Sequence, residues 1–266
     1  MNRIQLKNLG LSVTERGPER GTAPVLLLVH GFPLDHTMWQ PQLEALSDSY
    51  RVIAPDLRGF GSSDVIAGVA TMQQYADDLA ELLTALQITQ PVHFCGLSMG
   101  GYIAWQFAAR HRQRLARLIV CDTRAAPDSA EAAQGRVTSA NRVLSEGTGF
   151  LAEAMLPKLF PADLIAAGAP CVAATKKVML AAPPAGVAAA LLGMAQRPDM
   201  SSLLPRLDVP TLVLGGQHDA IVPAAEMKTL AGQIPGATFV EIAAAGHMAT
   251  LEQPTAANAA LRAFLK

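Results

Sequence analysis

Five consecutive aliphatic residues, Val25-Leu26-Leu27-Leu28-Val29, leave no polar position on either face of a strand. Successive strand side chains point to opposite faces, so a run of this kind must be covered on both sides, as in a parallel sheet between helices. Arg51-Val52-Ile53-Ala54 reads as another strand, ended by Pro55. Val92–Cys95, Leu118–Cys121, Thr211–Leu214 and Phe239–Ile242 complete the series. Helical patterns lie between them. Thr71 and Gln74 fit a capping box, followed by Tyr75, Leu79, Leu82, Leu83 and Leu86 at helical spacing, with Asp77, Asp78 and Glu81 near the start. Met99–His111 reads as a helix, and Pro223 and Pro254 sit where first helical turns begin. This alternation predicts an α/β chain with a doubly wound sheet.

Residues 124–200 break the rhythm. They show no convincing strand, are rich in Ala and hold only two aromatic residues, Phe150 and Phe160. Helices are expected near Ala130–Ser145, Gly149–Met155, Cys171–Leu180 and Gly186–Met194. The segment reads as a helical insertion over the sheet, dividing a core of residues 1–123 and 201–266.

Composition narrows the function. Half of the 266 residues are hydrophobic, 16% are charged and the formal net charge is −1. A disordered chain would be less apolar, and a nucleic-acid-binding surface would bring a basic excess. No continuous apolar run approaches the roughly 18 residues of a membrane span. Nucleic-acid and membrane partners are therefore not expected. Cys95, Cys121 and Cys171 are too few and too scattered for a disulfide framework and have no metal-ligand spacing, so no metal is expected. The N-terminal residues lack the apolar stretch of a signal peptide, and the expected location is cytoplasmic.

The chemistry centres on Gly96-Leu97-Ser98-Met99-Gly100, directly after one strand and before a helix. At such a turn the two glycines relieve backbone crowding, the Ser98 hydroxyl projects above the sheet, and the Met99 amide lies at a helix N-terminus where it can stabilise an oxyanion. A serine hydroxyl needs a base. Of the six histidines, His247 is the best placed, in a loop after the last strand, where sites of open α/β sheets form. His93 reads as a sheet residue and His111 as a helix C-terminal one. The imidazole in turn needs an acid. Asp219 follows the Thr211–Leu214 strand; Asp122, at the end of the Leu118–Cys121 strand, competes with it, and chain order favours Asp219. His30-Gly31-Phe32-Pro33 would bring the Phe32 amide to the pocket as a second oxyanion donor, although a strand-ending turn uses the same Gly and Pro.

Taken with Asp56-Leu57-Arg58-Gly59-Phe60-Gly61-Ser62-Ser63, Gly216-Gln217-His218-Asp219 and Gly246-His247, these motifs resemble the α/β-hydrolase family across nearly the whole chain, most of all its small bacterial carboxylesterases and 3-oxoadipate enol-lactonases. The resemblance implies an eight-stranded, mostly parallel sheet with a helical cap inserted after the sixth strand. It implies Ser98 as nucleophile, His247 as base, Asp219 as acid, and the Phe32 and Met99 amides as the oxyanion hole, without a cofactor. Relatives with dehalogenase or epoxide hydrolase activity carry aspartate at the elbow, so Ser98 argues against those reactions.

The cap would line the pocket with Ala, Leu and Met, favouring flexible apolar substrates. Arg124, just after a strand, could reach the pocket mouth and hold a carboxylate, or could anchor the cap. The expected substrates are small uncharged esters of short or medium acyl chain, or lactones. Carbon–carbon bond hydrolysis and a triad-bearing ligand receptor with slow turnover are the alternatives.

Overall fold

The aliphatic runs assemble into one eight-stranded sheet. The structure, a computed structural model, describes residues 1–19 and 21–266. Its strands are β1 (Asn2–Gln5), β2 (Gly10–Arg16), β3 (Val25–Val29), β4 (Arg51–Pro55), β5 (Val92–Leu97), β6 (Leu115–Cys121), β7 (Thr211–Gly216) and β8 (Thr238–Ile242). They lie in the order β1-β2-β4-β3-β5-β6-β7-β8. The β1–β2 and β2–β4 pairs are antiparallel, and the rest are parallel.

Alternation within the strands divides the core. Leu27, Val29, Ile53, Phe94, Val120 and Val213 pack on one face of the sheet. Leu26, Leu28, Val52, Cys95, Ile119 and Leu214 pack on the other. Burying each aliphatic side chain stabilises the fold by about 1.5–3 kcal/mol before entropy is counted. Helices α2 (Met72–Ala85), α3 (Met99–Arg110) and α9 (Ala224–Gly232) contribute to the first face, and α1 (Gln40–Leu46) and α11 (Pro254–Leu265) to the second. The Thr71 side chain caps α2 by accepting from the Gln74 amide at 3.1 Å. Cys95 and Cys121, on neighbouring strands, are free and buried.

Between β6 and β7 the chain forms only helices: α4 (Ala130–Glu146), α5 (Gly149–Leu159), α6 (Ala162–Ala166), α7 (Pro170–Ala181) and α8 (Pro184–Ala195), then a short 3-10 turn at Ser201–Arg206. Helix α10 (Ala249–Glu252) completes the set. No single described helix is long and apolar enough to cross a membrane, and α7 and α8 meet at 97°.

Three elements differ from the residue-by-residue reading. The hairpin β1–β2 has no apolar run to announce it, because β1 is an edge strand with mostly exposed residues. Helix α6, with five residues, is too short to show a period. Pro223 is the N-cap of α9 rather than its first helical residue, whereas Pro254 opens α11.

The parallel register sets where a site can form. Val29 is opposite Gly96, Leu97 opposite Cys121, Cys121 opposite Leu214, and Gly216 opposite Ile242. The carboxyl ends of β3, β5, β6, β7 and β8 therefore open along one edge, where their following loops converge.

Candidate active site

Strand β5 ends in a residue that cannot continue it. Ser98 has φ +53° and ψ −112°, a strained conformation for a non-glycine residue, and α3 starts at once with Met99. The strain is held by neighbours. The Ser98 amide donates to Cys121 O at 2.9 Å, and Thr123 Oγ1 donates to Ser98 O at 2.8 Å. The turn is tight enough that a Cβ on Gly96 would lie 2.3 Å from Gly100 O, and one on Gly100 would lie 2.3 Å from Val29 O. Only glycine fits these two places. The Ser98 side chain remains partly accessible while the residues on either side of it are buried.

The loop after β3 passes directly beside this turn, with a Cβ built on Gly31 only 3.5 Å from Ser98 Cβ. His30 braces that loop. Its Nε2 accepts from the Leu57 amide at 3.0 Å, its Nδ1 donates to Gly31 O at 2.9 Å, and its ring meets Phe60 edge-on. Burial pushes the His30 imidazole below its usual range, toward the neutral form that this pair of bonds requires. The sequence placed His30 in the His30-Gly31-Phe32-Pro33 motif without a role of its own; its position immediately before Gly31 was the available sign of this one. Among the described residues the Phe32 amide donates to no protein acceptor. The Met99 amide, at the first position of α3, has no intrahelical acceptor. Both amides are available to a ligand oxygen.

Asp219 and His247 come from loops after adjacent strands. His218 N donates to Ala245 O at 2.7 Å, tying the two loops together. His247 Nδ1 lies 2.8 Å from Asp219 Oδ2, and their side chains are 2% and 0% exposed. The other Asp219 oxygen accepts from the Ile221 and Val222 amides, at 2.7 and 3.0 Å. With Nδ1–H donating to the carboxylate, the imidazole keeps Nε2 as its acceptor edge. The His247 loop is fastened on both sides. Glu252 accepts from the Gly246 and Met248 amides at 2.8 and 2.9 Å, and the His247 amide donates to Leu159 O, at the end of α5, at 3.1 Å. Glu252 was not singled out from the sequence; its spacing from His247 was the only signal. Burial pushes its carboxyl up to about 7.

The other candidates fall elsewhere. Asp122, the competing acid, bonds through Oδ1 to the Gly216 amide at 2.8 Å, not to His247. Arg124 does not stand free at a pocket mouth. Its guanidinium grips Glu226 at 2.6 and 3.1 Å and donates to Ile221 O at 2.5 Å, tying the residues after β6 to α9. His93 lies within β5 against Tyr50, and His111 caps α3 beside Asp77. Asp35, His36 and Asp56 bring ligand-type atoms within 4.8 Å of one another. Protein donors already serve them: Asp56 accepts from the His36 and Ser62 amides and the His36 ring, and Asp35 from the Thr37 amide. That cluster reads as a loop brace rather than a metal centre. A cleft of about 80 Å³ is lined by Leu34, Asp35, Thr37 and Met38 after β3, by Ala174, Thr175 and Val178 of α7, and by Leu251.

Known proteins match the chain over most of its length. Residues 26–261 match the model of the alpha/beta hydrolase family. The 3-oxoadipate enol-lactonase 1 of Acinetobacter baylyi is 30% identical over 92% of this chain and 88% of its own. A thermophilic esterase from Thermogutta terrifontis, solved with malate bound, is 50% identical with a TM-score of 0.95, covering 99% of this chain and 97% of its own. The enol-lactonase of Burkholderia xenovorans is 32% identical with a TM-score of 0.92, covering 99% of each chain. With the family model covering residues 26–261, which hold the parallel strands, the helical segment and the loops that converge at the strand ends, the chain belongs to the alpha/beta hydrolase family.

Proposed function

We propose that this protein is a serine hydrolase that cleaves small carboxylic esters of short to medium acyl chain through an acyl-enzyme on Ser98. The observation that carries this reading is the buried 2.8 Å His247–Asp219 pair, set on strand ends that also present Ser98 in a strained turn. His247 Nε2 takes the Ser98 proton as Oγ attacks the ester carbonyl. The Phe32 and Met99 amides hold the resulting oxyanion, and the α3 N-terminus adds its dipole. The tetrahedral intermediate expels the alcohol, which receives the proton from His247. Water, deprotonated by His247, then attacks the acyl-enzyme and releases the acid and Ser98. Asp219 keeps the imidazole in the required tautomer and offsets the charge it gains. Residues 124–200 form the cap of this reading.

A lactone is a cyclic ester that passes through the same two steps, its alcohol staying joined to the acyl group. Similarity to two enol-lactonases favours this as a second reading.

The test is hydrolysis of a p-nitrophenyl ester series and a set of simple lactones by wild type and Ser98→Ala. Rapid ester turnover, lost by a thousand-fold or more in the variant on the order expected for a triad nucleophile, supports the esterase. Turnover confined to lactones supports the second reading. Full activity in the variant overturns both.

A further inference from the structure

A second carboxyl group stands beside the triad acid and has no part in the steps above. Asp122 follows β6 as the Asp219 loop follows β7, and these strands are neighbours. Asp122 is wholly buried and adopts φ +48°, a conformation non-glycine residues rarely take. Its amide donates to Leu214 O at 3.0 Å and its Oδ1 accepts from the Gly216 amide at 2.8 Å, so the strained residue is pinned to β7. Its Oδ2 meets no donor among the described residues. Gly216, which donates to Asp122, also accepts from the Asp219 amide at 3.2 Å, so the two acids hold the same residue at the end of β7.

Two ionised carboxylates cannot share such a site without water. They would set acceptor against acceptor. One proton between them turns repulsion into a hydrogen bond. Its position follows from the donors each group already has. Asp219 accepts from two amides and the imidazole, whereas Asp122 accepts from one amide. The better-solvated carboxylate keeps the charge. A carboxylate has about four lone-pair sites, and Asp219 has three of them filled.

We propose that Asp122 is a neutral carboxylic acid whose Oδ2–H donates to Asp219, fixing that carboxylate and tempering its pull on the His247 proton. The surroundings agree. Burial raises the proton affinity of Asp122 first, the Asp219 charge and the Cys121 thiol add to it, and only the Gly216 amide opposes. Arg124 and Glu252 also lie within the field of Asp219. Asp122 is on this view a positioning residue. The proposal rests on the triad assignment above.

The test compares Asp122→Asn and Asp122→Leu. The amide of Asn can accept from Gly216 and donate to Asp219, as the neutral acid does. Asp122→Asn is expected to keep kcat within about threefold and the acid limb of kcat/KM within about 0.3 pH unit of wild type. Asp122→Leu removes the donor, leaves Asp219 more basic, and moves the acid limb upward by about half a unit or more. A carbonyl stretch of a protonated carboxylic acid, read by infrared difference spectroscopy at pH 8, is expected in wild type and absent from Asp122→Asn. If Asp122 were ionised, Asp122→Asn would delete a charge near His247 and lower the acid limb by about a unit, with no such band; either result overturns the proposal. Should Asp122→Leu fail to fold, the Asn variant and the infrared band still decide. The band needs no substrate, and fluorophosphonate labelling of Ser98 reports separately on the triad assignment, so the two failures are distinguishable.

Discussion

His247 Nδ1 and Asp219 Oδ2 lie 2.8 Å apart with both side chains buried, in loops that follow adjacent parallel strands. Burial strengthens this contact, because little water competes for the N–H or screens the carboxylate. The pair fixes one imidazole tautomer, and Asp219→Asn would present the other, with Nε2 protonated and unable to take a proton. Esterase kcat is expected to fall roughly a thousand- to ten-thousand-fold while the near-ultraviolet circular dichroism stays that of wild type. A loss under about tenfold would remove Asp219 from the triad.

The Arg124–Glu226 contact leads to an expectation for specificity. The guanidinium is already matched by a carboxylate, and the pair is part-exposed, so it is worth about 1 kcal/mol or less. Arg124→Met is expected to change KM by less than about threefold for esters with or without a free carboxylate. A selective rise in KM for the anionic esters would show that Arg124 meets substrate.

The elbow is intolerant of a methyl group. A Cβ on Gly100 would press on Val29 O, and neither backbone can withdraw without breaking the β3–β5 register. Gly100→Ala is expected to lower Tm by about 6 °C or more, or to prevent soluble expression. Gly135, exposed in the middle of α4 with nothing near its Cβ position, is the control. Gly135→Ala is expected to raise Tm by about 1–3 °C through helix propensity.

Glu252 holds the amides on both sides of His247. Glu252→Gln leaves one amide facing an NH₂ group, and a several-fold to tenfold fall in kcat is expected, measured above pH 8 where the wild-type carboxyl is ionised. Burial raises this carboxyl to about 7 in the folded protein. Its contribution to stability is thus full below the unfolded value near 4.5 and fades as pH rises through 7. Urea midpoints of the variant relative to wild type are expected to improve between pH 4.5 and 8, and a flat difference would contradict the raised carboxyl.

His93 works in the opposite sense. Burial, aided by Arg117, pushes it down to about 4, and its Nδ1 has no partner among the described residues. A depressed imidazole stabilises the fold above the unfolded value near 6.5, and this is lost as pH falls through 4. His93→Phe can keep the edge-on contact with Tyr50 and is expected to flatten the stability profile between pH 6.5 and 4. An unchanged slope in urea unfolding would exclude His93 as the source.

The inner strands β3 to β7 were legible because burial on both faces favours apolar runs, and α2 because a helix demands a 3.6-residue period; α1 was not foreseen. The elbow was legible because its strain needs glycine on both sides of Ser98 within five consecutive residues. The edge strand β1 and the five-residue α6 were not, since neither buries enough to leave a pattern, and β2 alternates apolar Leu11 and Val13 with Ser12 and Thr14 instead of running apolar. Chain order alone left Asp122 and Asp219 as rivals, as both follow strands that reach the same edge of the sheet. The choice between them depended on which carboxylate meets the imidazole, across 28 residues in one case and 94 from Asp122 to Gly216 in the other. The same holds for the commitment of Arg124 to Glu226, 102 residues away, and for the Glu252 clasp on the His247 loop. Local sequence determined most of the elements and the strained turn at Ser98, because backbone sterics and side-chain period act over a few residues. Tertiary structure decided which carboxylate meets the imidazole, what braces its loop and where Asp122 is held, because hydrogen bonds and desolvation depend on groups that only the folded sheet brings side by side.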